Sequence, residues 1–449
     1  MGVEYIFRAY DIRGIFGRDL TPEVAAGIGA ALGTIDPGDF LVGGDIRSST
    51  LALKMALAAG IASTGCDVND VGIVPIGAAL YACWSRKKTT VYVTASHLPP
   101  EWNGFKVCGR NALYYSSRDI ERIRDAYLSG EFKRADWSSV GRIGQEPILE
   151  EYAEHLKRYM HASGLKIAID CGNGAAALVA PRLFREAGHE VVELNCEIDP
   201  AFPARGSEPE PEKLGDLCRA VIEEEADLGM AFDGDGDRVV FVDDRGRVLA
   251  AEQAAIVMLE GGVKGDVVAN VECSGVLEDY VRSYGGRVHW VPVGHTFMIR
   301  GVIESGAVMG VERSSHYAVP LNPFVGGGII AAIYLVESLC KIGRKISEVV
   351  PRVRPLKRRR IPVDDAVKFQ VAEMAERMIL ERYERVVTID GVRVDLEDGW
   401  FLVRPSNTEP VIRVTSEGVT EERAEELAEL AEKIVLRALE EFRRRGSKS

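Results

Sequence analysis

Asp233, Gly234, Asp235, Gly236 and Asp237 place three carboxylates within five residues, and Arg238 follows directly, inside the apolar frame LGMAFDGDGDRVVFVDD. Alternate aspartates on a turn loosened by glycine can aim their oxygens at one point, which suits a hard divalent cation such as Mg²⁺. A cation held this way suits phosphate chemistry. Two other readings stand beside it, a solvated acidic turn between strands and a calcium loop. The calcium pattern requires glycine at its sixth position and glutamate at its twelfth. Counted from Asp233, those positions hold Arg238 and Asp244.

Further clusters have chemical potential. The strand-like run VYVTAS ends at Ser96 and His97 and continues as LPPEWNGFK. It puts a hydroxyl at the C-terminal end of a strand, where ligands of α/β sheets gather. Ser96 lacks the GxSxG frame of an acyl-transfer elbow. Phosphoryl transfer requires only an exposed hydroxyl, a metal and cationic clamps; an ordinary turn is the plain alternative. RPSNTEP, from Arg404 to Pro410, groups arginine, hydroxyls and an amide as a receptor for phosphate oxygens, or as a polar turn. GVERSSH, from Gly310 to His316, mixes acid, base and hydroxyls suited to sugar hydroxyls.

The elements that must position these groups alternate between strand-like and helix-like along most of the 449 residues. IFRAYDI reads as a strand, Thr21 and Pro22 open a helix towards Leu32, FLVGGD is a strand, and 49–63 is a helix. VGIVPI and VYVTAS are strands, and a helix at 118–127 follows. KIAID, EVVELN, a helix at 212–225 and the aspartate loop form a second unit. The GNG turn after KIAID lacks the full GxGxxG spacing of a dinucleotide site. DVVANV, a helix after Ser274, VHWVPVG, AVMGVE and a helix at 327–342 form a third. RVRPLKRRRIPV reads as a charged linker. After it come a helix at 366–381, strands VVTID, VRVDL, GWFLVRP and VIRVTS, and a charged helix from Thr420. The expected fold is α/β: three similar α/β domains with mixed sheets at 1–145, 146–248 and 249–355, and a two-layer α+β domain at 356–449.

Composition narrows the setting. Apolar residues make up 46% and charged residues 27%, enough for sizeable cores, and no run approaches a membrane span. The N-terminal MGVEYIFRAYDIRG has no basic region followed by an apolar run, so a cytoplasmic protein without a signal peptide is expected. Eight scattered cysteines without a CxxC pair fit reduced thiols. A net charge of −13 disfavours nucleic acid and anionic membranes as partners.

Taken in order, FRAYDIRG, TASHLPPEWNGFK, DGDGDR, GVERSSH and RPSNTEP resemble the motifs of the α-D-phosphohexomutase superfamily over nearly the whole chain. The resemblance implies an active-site cleft at the centre of four domains. It makes Ser96 a phosphoserine that carries the phosphoryl group, with Asp233, Asp235, Asp237 and that phosphate holding Mg²⁺. It implies interconversion of hexose 1-phosphate and hexose 6-phosphate through a hexose 1,6-bisphosphate. Arg13, Lys106 and His97 fall near the serine as groups for charge neutralisation or proton transfer. Tyr10, Arg238, His295, Glu312, Ser314 and His316 are the ligand contacts implied, with Arg404, Ser406, Asn407 and Thr408 as the phosphate clamp. Leu98 stands where many members have asparagine, Ser315 where glycine is frequent, and Arg313 at the variable centre of the sugar loop. FRAYDIRG and the VGH segment at 293–295 favour the phosphomannomutase/phosphoglucomutase branch, with phosphoglucosamine mutase as the alternative. A non-catalytic sugar-phosphate or metal-binding protein on the same scaffold is the alternative of another class. A small-molecule hexose phosphate is the expected partner, bound by a monomer or small homo-oligomer.

Overall fold

The structure, a computed structural model, describes residues 3–8, 10–319, 327–406 and 409–446. Its first sheet is built from β1 (Ile12–Ile15), β2 (Phe40–Gly44), β3 (Val68–Ile73), β4 (Thr89–Val93), β5 (Trp102–Cys108) and β6 (Ile143–Gln145). They lie in the order β1-β5-β4-β2-β3-β6, with β5 antiparallel to β1 and β4 and the other pairs parallel. FLVGG of β2 and TTVYV of β4 are buried along their whole length, as expected of interior strands covered by helices on both faces. The second sheet holds β7 (Lys166–Asp170), β8 (Glu190–Leu194), β9 (Leu228–Phe232) and β10 (Val239–Asp243), in the order β10-β9-β7-β8. Only the β9–β10 pair is antiparallel, and its connection is the aspartate loop.

In the third region β11 (Val267–Asn270) lies between β12 (Val288–Val291) and β13 (Met309–Val311), all parallel. The short β14 (Tyr317–Ala318) precedes the buried helix Gly328–Ile342. The last sheet is antiparallel throughout: β15 (Leu356–Pro362), β16 (Val386–Val387), β17 (Val392–Leu396), β18 (Gly399–Pro405) and β19 (Val411–Gly418), in the order β15-β19-β18-β17-β16. The helices Lys368–Leu380 and Glu421–Gly446 pack on it around Val371, Ile379, Phe401, Ile412, Leu427 and Val435. Three α/β regions and an antiparallel C-terminal one thus match the expected class. The chain divides into two compact units: Met1–Ala250 with Val257–Val263 and Ser314–Val349, and Ala251–Ile256 with Lys264–Arg313 and Val350–Ser449.

Three local expectations are corrected. IFRAYDI is not one strand: Val3–Ile6 is a 3-10 turn, and Phe7 bridges back to Ile12 while the Arg8 amide donates to the Asp11 carbonyl. The chain reverses within the segment, so the strand starts at Ile12. VGIVPI ends as a strand at Ile73, and Pro75 caps a helix Ile76–Arg86. That helix is almost wholly buried over its first two turns, so it shows no clean apolar stripe. RVRPLKRRRIPV is no linker, since seven of its residues form the edge strand β15. Its Ile361 enters the core while Arg359 pairs with Glu425 and Glu432 of the final helix. Basic side chains on an edge strand protect it from pairing with other chains.

Among the described residues of the second unit, Arg393 is a fully buried cation. Arg393 of β17 lies between the rings of Trp290 and Trp400, 4.1 Å from each centroid. Its Nη1 donates to the carbonyls of Val271 and Cys273 at 2.8 Å, and its Nε to Asp395 at 3.0 Å. The arginine therefore links the antiparallel sheet to the turn after β11. Arg393→Met should destabilise this unit by about 3 kcal/mol, through loss of a desolvated cation–π pair and of two buried carbonyl partners. An unchanged denaturant midpoint for that unit would show that the stacked guanidinium does not hold it together.

Candidate active site

Ser96 follows β4 and is 2% exposed. Its φ of +51° lies in the left-handed region, a conformation costing a non-glycine residue about 1–3 kcal/mol that surrounding contacts must hold. The Ser96 amide donates to Thr94 Oγ1 at 2.7 Å, and its hydroxyl donates to Asp233 Oδ2 at 3.0 Å. The rest of the hold comes from Arg47, just past β2. Its Nη2 donates to the Ser96 and Leu98 carbonyls, its Nη1 to those of Pro99 and Trp102, and its Nε to Asp45 Oδ2. Asp45 also accepts from Thr50 and Thr94. Arg47, Asp45 and Thr94 were not singled out in the sequence, although GGDIR after a buried strand marks the same kind of strand end as VYVTAS.

The aspartate loop meets the serine loop closely. A Cβ on Gly234 would stand 2.7 Å from the Ser96 carbonyl oxygen, and Gly236 has a φ of +75°, so both glycines are needed. Asp233 and Asp235 are fully buried and Asp237 nearly so. Burial, and then the Asp235 charge, push the Asp233 carboxyl up to about 7, with Arg238 opposing. Burial also disfavours a charged Asp235, yet the Lys106 ammonium beside it holds that carboxyl below its ordinary range. Lys106 Nζ lies 3.0 Å from both Asp235 Oδ2 and Asp237 Oδ2. Burial would discharge this lysine, but the two carboxylates keep it protonated.

Arg238 extends the cluster through three directed bonds. Nη1 donates to Glu208 at 2.8 Å, Nη2 to His97 Nδ1 at 3.1 Å and Nε to His316 Nε2 at 3.3 Å. A guanidinium can only donate, so His97 Nδ1 acts as the acceptor of its bond. His316 Nε2 also lies 3.3 Å from Asp237 Oδ2, and its Nδ1 is 3.1 Å from Ser314 Oγ. Burial, followed by the charges of Arg238 and Arg13, holds His97 neutral, with Nδ1 3.4 Å from Ser96 Oγ. Arg13, on β1 and bonded to Asp11, acts on the cluster through its charge, and Tyr10 is half-buried in the preceding turn. Ser315 has a φ of +65°, which explains why glycine suits that position.

The other expected residues belong to the second unit. Glu312 is 2% exposed, and its Oε1 accepts from the Gly294 amide at 2.7 Å and from Asn270 at 3.3 Å. His295 opens the helix His295–Ser305. Arg404, near the end of β18, lies 3.0 Å from Asp390 and 3.4 Å from Glu272, and Ser406 is buried with its amide on the Val411 carbonyl. Arg313 turns to Glu252 and to the Glu272 carbonyl. Asn407 and Thr408 lie outside the described residues. Glu208, Glu272 and Asp390 were also missed in the sequence, being lone acids without a local pattern.

No three His, Cys, Asp or Glu side chains among the described residues converge in the geometry of a metal centre. The three aspartates turn instead to Ser96, Thr94 and Lys106. Asp235 Oδ1, however, is buried with no hydrogen-bond partner among the described residues. An unpaired carboxylate oxygen in an all-oxygen donor set has the chemistry that a hard cation requires.

Comparison with known proteins places these groups in a family. Descriptions of the phosphoglucomutase/phosphomannomutase α/β/α domains I, II and III match residues 4–134, 150–246 and 246–355, and that of its C-terminal domain matches 360–434. A protein of Methanopyrus kandleri named "Probable phosphoglucosamine mutase" is 38% identical over 451 residues, covering 97% of this chain and 99% of the relative. A Thermococcus kodakarensis protein named "Phosphoglucomutase/phosphomannomutase" is 35% identical over 457 residues, with coverage of 97% and 99%. A crystal structure of a phosphoglucomutase/phosphomannomutase family protein from Burkholderia thailandensis superposes with a TM-score of 0.87 at 29% identity, covering 97% of this chain and 98% of that one. The chain belongs to the phosphoglucomutase/phosphomannomutase family and is an enzyme of the phosphohexomutase class.

Proposed function

We propose that this phosphohexomutase interconverts glucosamine 1-phosphate and glucosamine 6-phosphate, with Ser96 as the phosphoryl carrier. The observation that carries the reaction type is the Ser96 hydroxyl, held in a left-handed turn on Asp233, beside the buried Asp235, Asp237 and Lys106. The amino-sugar choice rests on the name of the Methanopyrus relative. It replaces the preference for mannose or glucose that FRAYDIRG and VGH suggested. The mannose or glucose reading stays second, favoured by the Thermococcus relative.

In the proposed cycle a sugar hydroxyl attacks the phosphorus on Ser96. A P–O bond to the sugar forms, the P–Oγ bond breaks, and a hexose 1,6-bisphosphate results. The second phosphate then returns to Ser96 from the other end of the sugar. Asp233, whose Oδ2 accepts from the Ser96 hydroxyl at 3.0 Å, is the carboxylate nearest to Oγ. Neutral His97, 3.4 Å from Oγ, takes the proton of the attacking hydroxyl, while the protonated Lys106 offsets negative charge beside it. Arg404 with Ser406, Asn407 and Thr408 is assigned the phosphate that is not being transferred, while Glu312, Ser314, His295 and His316 are assigned the sugar. Asp233, Asp235 and Asp237 would hold Mg²⁺ with the Ser96 phosphate. When bound, the ion neutralises the phosphoryl oxygens and opens the phosphorus to attack. A phosphoserine adds roughly −1.5 to −2 charges near neutral pH, which supports the need for a cation there.

Ser96→Ala should lower turnover by about a thousandfold or more while sugar-phosphate binding by calorimetry stays close to that of the parent. Parental turnover in that variant would end the phosphoserine reading. Treatment with a chelator should abolish activity and Mg²⁺ should restore it, and Mg²⁺ should bind the Ser96-phosphorylated form more tightly than the dephosphorylated one. Equal affinity in both forms would remove the phosphate from the ligand set. With the matching bisphosphate present, kcat/KM for glucosamine 1-phosphate should exceed those for glucose and mannose 1-phosphates by about tenfold. Preference for either neutral sugar would return the assignment to the second reading.

A further inference from the structure

Arg404 is 8% exposed, and its guanidinium already meets two carboxylates. They are not equivalent. Asp390 Oδ2 takes Nη1 at 3.0 Å and also accepts from the Val293 amide at 3.1 Å, so the backbone fixes it. Glu272 Oε1 lies 3.4 Å from Nη2, and its carboxylate has no further hydrogen bond among the described residues. Nε of Arg404 is buried without a partner among the described residues. Nε and Nη2 make up the side edge of the guanidinium, which can give two parallel N–H bonds to one phosphate. Asp390 leaves that edge open. Glu272 covers half of it through the longer and more weakly anchored of the two contacts.

From this asymmetry we infer that Glu272 is a positioning residue that acts through Arg404. It occupies the side edge between binding events and competes with a ligand phosphate for it, while Asp390 holds the guanidinium in place. The inference rests on the assignment of Arg404 to phosphate binding made above. A carboxylate displaced by an incoming dianion remains close to it, and the repulsion between them weakens the bound state. That is useful to an enzyme whose intermediate must leave the clamp, turn around and be held by its other phosphate. A clamp without a competitor would bind the first phosphate tightly and release it slowly.

Glu272→Gln keeps the size of the side chain and removes its charge. In the full-length enzyme assayed with glucosamine 6-phosphate, this variant should lower KM and kcat together, each by about three- to tenfold, as release becomes slower. Loss of a purely structural contact would raise KM or leave it unchanged. Arg404→Ala, assayed in parallel, should raise KM at least as strongly. If Arg404→Ala raises KM but Glu272→Gln does not lower it, the competitor role is overturned and the phosphate clamp stands. If Arg404→Ala leaves KM unchanged, the clamp assignment fails and the role of Glu272 fails with it.

Discussion

Arg47 gives all five of its guanidinium N–H groups to acceptors from a position with no solvent exposure, and four of those acceptors are carbonyls of the segment that carries Ser96. Carbonyls of an irregular loop have no ladder to join, and burying them unpaired would cost more than most loops can bear. A single buried cation resolves the problem for Ser96, Leu98, Pro99 and Trp102 together. Its own desolvation is offset by Asp45, fixed in turn by Thr50 and Thr94. With the loop pinned at these points, the left-handed backbone of Ser96 is imposed by its surroundings and needs no glycine. The hydroxyl consequently faces Asp233 while the carbonyl passes close to Gly234.

Charge accounting explains why three carboxylates can be buried next to that hydroxyl. Lys106 serves Asp235 and Asp237, Asp233 keeps a proton towards neutrality, and the Arg238 amide supports Asp233 from the other side. One positive side chain and the proton on Asp233 therefore balance most of the acidity. Asp235 Oδ1 is left over. Lys106 is thus more than a neighbour of the serine, because removing its charge would leave two buried carboxylates facing each other. Arg238 has the complementary task of tying His97 and His316 to the aspartate loop.

Legibility followed the range of the forces involved. DGDGDR, TASH, GVERSSH and RPSNTEP could be read because their chemistry is concentrated in a few consecutive residues, and KIAID, VRVDL and GWFLVRP because strands announce themselves by local patterns. RVRPLKRRRIPV misled because its charge and prolines resemble a linker, whereas its strand state is imposed by pairing with β19, some fifty residues later. IFRAYDI misled because a reversal at Arg8–Asp11 has no glycine or proline to mark it. Arg47, Glu208, Glu272 and Asp390 carried no local signal at all. Each matters through a partner far away in sequence, and a lone charged residue usually means a solvated surface.

Within the second unit the same reasoning connects groups, proposed above for recognition, that look independent in sequence. Glu312 accepts from the Gly294 amide, the neighbouring Val293 amide donates to Asp390, and Asp390 holds Arg404. Arg404 meets Glu272, whose backbone carbonyl takes Arg313, the residue next to Glu312. The chain of contacts closes on itself. Arg313, at the variable centre of the sugar loop, is occupied by Glu252 and by this carbonyl, so its side chain serves the ring of contacts. Glu312 likewise has one carboxylate oxygen already committed to the backbone that Asp390 also fixes. A change in how Arg404 is held therefore reaches Glu312 through two backbone amides, and the groups proposed for sugar and for phosphate in this unit are mechanically linked.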